Sequence, residues 1–182
     1  MTEEEFLRNF PVGVSIPRVL RELLTFQNKE LEWYSGYFRL GEWPFGAAHW
    51  FGDRKAAEQF VIFGRGPDGS LYGLWMYPSR TVENAPVVFL GSEGTDCGLI
   101  AGDLKQFLSL LAVGADELGF AISWGEVSEQ SPPAERLQEF RKWLRTSFDI
   151  TESENPLSLV AAARAEHPDF AAWLANWQAS RT

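Results

Sequence analysis

The sequence predicts an α+β fold: a largely antiparallel β-sheet flanked by N-terminal and C-terminal helices. Three observations carry this. Residues 15–28, and most of the chain after residue 103, place apolar side chains at helical spacing. Between them, residues 33–100 hold aromatic and β-branched residues in short runs separated by Gly and Pro, the texture of strands. The order is helix, several strands, then helices, not the strand–helix alternation of βαβ units. A hydrophobic fraction of 45% and a charged fraction of 23% are globular values. The 182 residues fit one domain.

Each element has a local reason. Residues 3–10 read as a short helical arm carrying Phe6 and Phe10. In the helix over 15–28, Ser15 serves as cap and Pro17 sits in the first turn, where a missing N–H costs nothing. Val19, Leu20, Leu23 and Leu24 share one face, opposite Arg18, Arg21 and Glu22. Strands are predicted over Tyr34–Leu40, Phe60–Phe63, Leu71–Tyr77, Val87–Leu90 and Cys97–Ala101. Pro67 presets φ and Gly69 supplies a positive φ, so the second and third strands form a hairpin. Asp103 caps the next helix, with Gln106 at the reciprocal position, Leu104, Phe107, Leu108 and Leu111 inward, and Gly114 as its stop. Residues 115–131 read as irregular. Pro133 opens a further helix with Leu137, Phe140 and Leu144 inward. Asn155-Pro156 and His167-Pro168 each start a helix, and Phe170, Trp173, Leu174 and Trp177 form the last apolar stripe.

Composition excludes several functions. The net charge of -9 argues against a nucleic-acid binder, whose footprint is a basic patch, and against docking on anionic lipid. Cys97 is the sole cysteine, so no intramolecular disulfide or Cys-rich zinc site is expected. His49 and His167 show no metal-binding spacing, and neither metal nor cofactor is expected. No apolar run approaches the roughly 18 residues of a membrane span. Met1-Thr2-Glu3-Glu4-Glu5 is acidic where a signal peptide is basic, so the expected location is cytoplasmic.

Catalytic motifs fare poorly. Gly64-Arg65-Gly66-Pro67-Asp68-Gly69 matches G-x-G-x-x-G, but a strand follows where the dinucleotide fingerprint needs a helix, so it reads as a hairpin turn. Ser92 lies outside a nucleophile elbow. His167 reads as a residue capping the helix before Pro168, and His49 as packed or exposed. Two carboxylate pairs, Asp53 with Glu58 and Glu93 with Asp96, are the candidates for acid–base work.

The middle of the chain resembles the SMI1/KNR4 (SUKH) superfamily. Ile16-Pro17 with Leu20, Leu23, Leu24 and Asn28 is similar to its opening helix, and Gly36-Tyr37-Phe38 to its first strand. Leu71-Tyr72-Gly73-Leu74-Trp75 follows a turn, as there. Val87 to Gly94, then Ala101 and Asp103 to Leu111, resemble its final strand, loop and helix. The likeness spans about residues 15–114, with 131–182 as a helical extension of the same domain. Lys29-Glu30 departs from it, standing where a glycine is common. The resemblance implies an α+β fold without enzyme activity, and bacterial members that neutralise toxins, many of them nucleases. An immunity protein with a protein partner is therefore the leading expectation. A constitutive regulatory scaffold and an acid–base hydrolase are the alternatives. The expected partner-binding residues are Trp43, Trp50, Asp53, Glu58, Glu93 and Asp96: acids for steering, tryptophans for desolvated area. Residues 81–135 hold nine acids and one base, Lys105, which predicts an acidic side to the molecule if the fold gathers them.

Overall fold

In the computed structural model, which describes residues 1–30, 33–43, 46–76, 81–94, 96–129 and 135–180, five strands pair in chain order into one antiparallel sheet. They are β1 (Arg39–Leu40), β2 (Phe60–Arg65), β3 (Leu71–Trp75), β4 (Val87–Leu90) and β5 (Cys97–Ala101). The β2–β3 connection is the predicted hairpin: Gly66 N–H donates to Ser70 O at 2.9 Å, and Gly69 has φ 93°. Helices α1 (Glu3–Leu7) and α2 (Arg18–Glu30) precede the sheet, and α3 (Gly46–Phe51) and α4 (Arg54–Ala57) interrupt it. After β5 come α5 (Leu104–Leu111), α6 (Leu118–Trp124), α7 (Glu135–Phe148), α8 (Pro156–Glu166) and α9 (Asp169–Ala179). The α+β class is borne out.

Strand side chains alternate between two faces, and here both faces are apolar. Val61, Phe63, Tyr72, Leu74, Val87, Phe89 and Ile100 point into one core, against Phe6 of α1, Leu20 and Leu23 of α2, Phe107 of α5 and Phe140 of α7. Phe60, Ile62, Leu71, Trp75, Val88, Leu90 and Leu99 point into the other, against Phe51 of α3, Ala56 of α4, Ala163 of α8 and Phe170 and Trp177 of α9. Helices therefore cover both faces.

Side chains also close both edges of the sheet. At β1, Leu40 N–H donates to Gln27 Oε1 at 2.7 Å, and Gln27 Nε2 donates back to Leu40 O at 3.2 Å. One buried amide thus stands in for a missing neighbouring strand. At β5, Arg164 of α8 donates from Nε to Leu99 O at 2.9 Å. Unpaired edges would otherwise template association with other chains.

Several elements differ from expectation. Helix α2 starts at Arg18 rather than Ser15, and Arg21 N–H bonds Pro17 O at 3.0 Å. The strand expected over Tyr34–Leu40 shrinks to β1, because Gly36 turns the chain at φ 49°. Gln106 does reach back from α5, but its Oε1 accepts from Gly102 N–H at 2.9 Å, one residue before the capping Asp103. Helices α3 and α4 occupy a region read as strands and loops. Helix α6 forms within the supposedly irregular 115–131. Gly119 is required there, since a Cβ would lie 2.1 Å from the Phe89 ring. Tyr77 and Pro133 lie outside the described residues.

Replacing Gln27 by Leu removes the donor and acceptor that Leu40 uses. Each orphaned buried group costs about 1–3 kcal/mol. Urea unfolding of Gln27→Leu is expected to show a midpoint lowered by that order, with the denaturant slope unchanged.

Candidate partner-binding face

The residues expected to bind a partner lie on α3, α4 and the turns beside them, and the two tryptophans are partly engaged in packing. Trp43 is half-buried after β1, with the Arg65 guanidinium 5.2 Å from its ring centroid. Trp50 is half-buried on α3; its Nε1 donates to Gly91 O at 2.8 Å and its ring stacks on Trp177 at 5.4 Å. Both pack against the second core and hold it together. The Trp50 hydrogen bond does bring α3 to the β4–β5 turn, where Glu93 is exposed and Asp96 half-buried. Asp53 caps the N-terminus of α4, accepting from Lys55 N–H at 2.8 Å, and Glu58 is its C-cap residue, 3.7 Å from Arg54. Both are exposed. They cap opposite ends of the four-residue α4. His49 is exposed on α3, and His167 terminates α8.

Exposed aromatic area lies elsewhere. Among the described residues, Trp33, Tyr37 and Trp124 are 41%, 44% and 65% accessible. Trp33 and Tyr37 meet edge to face, with centroids 5.3 Å apart. Their segment is fastened to the end of α5 and to the chain that leads from it into α6. Ser35 Oγ donates to Leu111 O, and Tyr37 N–H donates to Asp116 O at 2.8 Å. Gly36 lies so close that a Cβ would stand 2.2 Å from Ala115 O. Trp33 itself adopts φ 63°, a left-handed conformation that costs a non-glycine residue roughly 1–2 kcal/mol. At the far end of α6, Trp124 stacks on Phe120 at 5.5 Å, and Phe120 meets the buried Phe89 at 5.1 Å. This aromatic series runs from the core to the surface.

The acids of residues 81–135 fall into separate groups. Glu93 and Asp96 sit in the β4–β5 turn, and Asp103 caps α5 beyond the other end of β5. Glu129 pairs with Arg141 at 2.8 Å, where Arg141 also bonds Ala112 O. Asp116, Glu117 and Glu126 flank α6, which contains no basic residue. Glu117 is its N-cap residue, yet makes no side-chain cap hydrogen bond. The aromatic pair and the acids nearest it therefore share one neighbourhood, made by the docking of 33–37 onto 111–116.

Sequence reasoning placed Trp33 among the tryptophans of the strand region and Asp116 among the acids of 81–135, and singled out neither Tyr37 nor Trp124 as exposed. A signal existed for one of them. Leu118, Ala121 and Ile122 stand at i, i+3 and i+4, which leaves Trp124 off the buried stripe. Nothing in Trp33-Tyr34-Ser35-Gly36-Tyr37 distinguishes the buried Tyr34 from its exposed neighbours.

No group of three or more His, Cys, Asp or Glu among the described residues is placed to hold a metal ion, and no helix there is long and apolar enough to cross a membrane. Comparison with protein-family models, curated proteins and solved structures finds no match.

Two titrations check the local chemistry. Burial raises the Asp68 carboxyl, but hydrogen bonds from Ser92 and from the Ser70 hydroxyl and N–H outweigh it, leaving the group below its usual range. A depressed carboxylate stabilises the fold above its unfolded pKa, and that contribution is lost as pH falls through the folded value. Carbon NMR should place the Asp68 midpoint below the usual carboxylate range, and Ser92→Ala should move it up. The stability difference between Ser92→Ala and the parent should vanish at low pH. Burial pushes the Cys97 thiol up to about 11, so at pH 8 iodoacetamide is expected to label it at least tenfold more slowly than free cysteine.

Proposed function

We propose that this chain is a non-enzymatic protein-binding module of the immunity type. Its role is to neutralise a toxin, with a nuclease as the favoured class, inside the cell that carries it. The observation that carries the reading is the exposed pair Trp33 and Tyr37, held by the Tyr37 N–H to Asp116 O bond next to the acids Asp116 and Glu117 at the start of α6. A nuclease presents a basic surface to phosphates. An acidic protein gains association rate by steering toward such a surface and blocks substrate by occupying it. A standard interface buries about 800 Å² on each partner, with its energy concentrated in a few aromatic or Arg anchors. Trp33 and Tyr37 meet that requirement because their backbone is already held against residues 111–116, so little ordering cost attends binding. The likeness of residues 15–114 to the SMI1/KNR4 superfamily supports the same reading.

The test pairs the chain with the product of an adjacent toxin gene. Cells expressing the parent should survive the toxin. The double variant Trp33→Ala/Tyr37→Ala should bind at least 100-fold more weakly and fail to protect, while its unfolding midpoint stays within a few degrees of the parent. Asp116→Asn/Glu117→Gln should slow association several-fold at low salt and little at high salt. Full protection by the aromatic double variant would remove this face from the function. A stable housekeeping partner without protection would favour the scaffold reading instead.

A further inference from the structure

We infer that the Trp33–Tyr37 pair receives an arginine side chain of the protein partner. The inference rests on the protein-binding reading and specifies what this part of the face recognises. The two rings are exposed and touch edge to face, so parts of their π-faces stay open to a ligand. A ring face carries negative quadrupole potential and attracts a cation placed within about 6 Å. Among the described residues the chain uses this chemistry internally: Arg65 lies over Trp43 at 5.2 Å, and Arg18 over Phe148 at 5.7 Å. Among the described residues, no cation of the chain itself covers Trp33 or Tyr37.

The neighbourhood selects the same sign of charge. Tyr37 N–H is held to Asp116 O at 2.8 Å, which keeps the Asp116 main chain against the aromatic segment. Glu117 follows at the start of α6, without a cap hydrogen bond to occupy its carboxylate. Ring and carboxylate together favour guanidinium over ammonium. A planar guanidinium stacks on an aromatic face and still offers paired N–H donors to a carboxylate, whereas an ammonium is a compact, strongly hydrated charge. A purely apolar segment would have to bury these half-exposed acids without a partner for them.

The test follows indole and aromatic NMR resonances of the full chain at low salt, titrated with tetra-arginine, tetra-lysine and tetra-citrulline peptides. The Trp33 indole and Tyr37 ring signals should move saturably with tetra-arginine. The midpoint with tetra-lysine should be at least threefold higher, and tetra-citrulline should produce no movement. The buried Trp75 should stay fixed throughout, and Trp33→Ala should abolish the Tyr37 response. Unmoved Trp33 and Tyr37 signals, or equal response to lysine and arginine, would overturn the inference. Signals that depend on protein concentration alone would reassign the face to a second copy of the chain. The two readings fail separately. Arginine binding without protection from toxin would leave this inference standing and remove the immunity role. Protection lost in the aromatic double variant, without arginine preference, would do the reverse.

Discussion

The β-sheet carries apolar side chains on both faces, and that constraint shapes the other elements. A one-faced antiparallel sheet can leave its second face to water. Here Phe60, Ile62, Trp75 and Leu90 forbid it. The chain covers this face with α3 and α4, inserted between β1 and β2, and with α9 from its C-terminal end. The first face is closed by α1, α2, α5, α6 and α7. Helix α8 serves both: Val160 enters the first core and Ala163 the second, while Arg164 closes the β5 edge between them.

The same constraint explains where the tryptophans go. Trp50, Trp75, Trp173 and Trp177 form much of the second layer together with Phe51, Phe60 and Phe170. Thin helices such as the four-residue α4 bring little apolar area of their own, so large rings fill the space. Aromatic richness in this sequence is therefore mainly a packing device. Among the described residues, the aromatic rings left exposed are Trp33, Tyr37 and Trp124.

Much of the fold was legible, for identifiable reasons. Strands β4 and β5 match their predicted limits because Pro86, Gly91 and Gly102 bound short apolar runs. Their burial on both faces also hid which side each residue takes. Helix α6 was illegible because it is short, contains Gly119 and lacks a side-chain cap hydrogen bond; its need for glycine comes from Phe89, distant in sequence. Gln27 looks like an ordinary polar helix residue until Leu40 is placed beside it. The site was harder still. Choosing Trp43 and Trp50 as anchors required knowing their exposure, which depends on Arg65, Gly91 and Trp177, each remote in the chain.

The late position of α8 and α9 has a consequence for biosynthesis. Strands β2 to β5 form a meander of neighbours, whose local pairings can close as soon as residue 101 leaves the ribosome. Part of one sheet face and the Arg164 bond to Leu99 on the β5 edge must then wait for residues 156–179 to be made. At roughly 5–20 residues per second, that leaves the nascent sheet incompletely covered for several seconds. During this interval the chain is at its most adhesive, exposing an apolar face and an unpaired strand together. Helices α8 and α9 thus set the moment at which the sheet is protected, as well as completing its core.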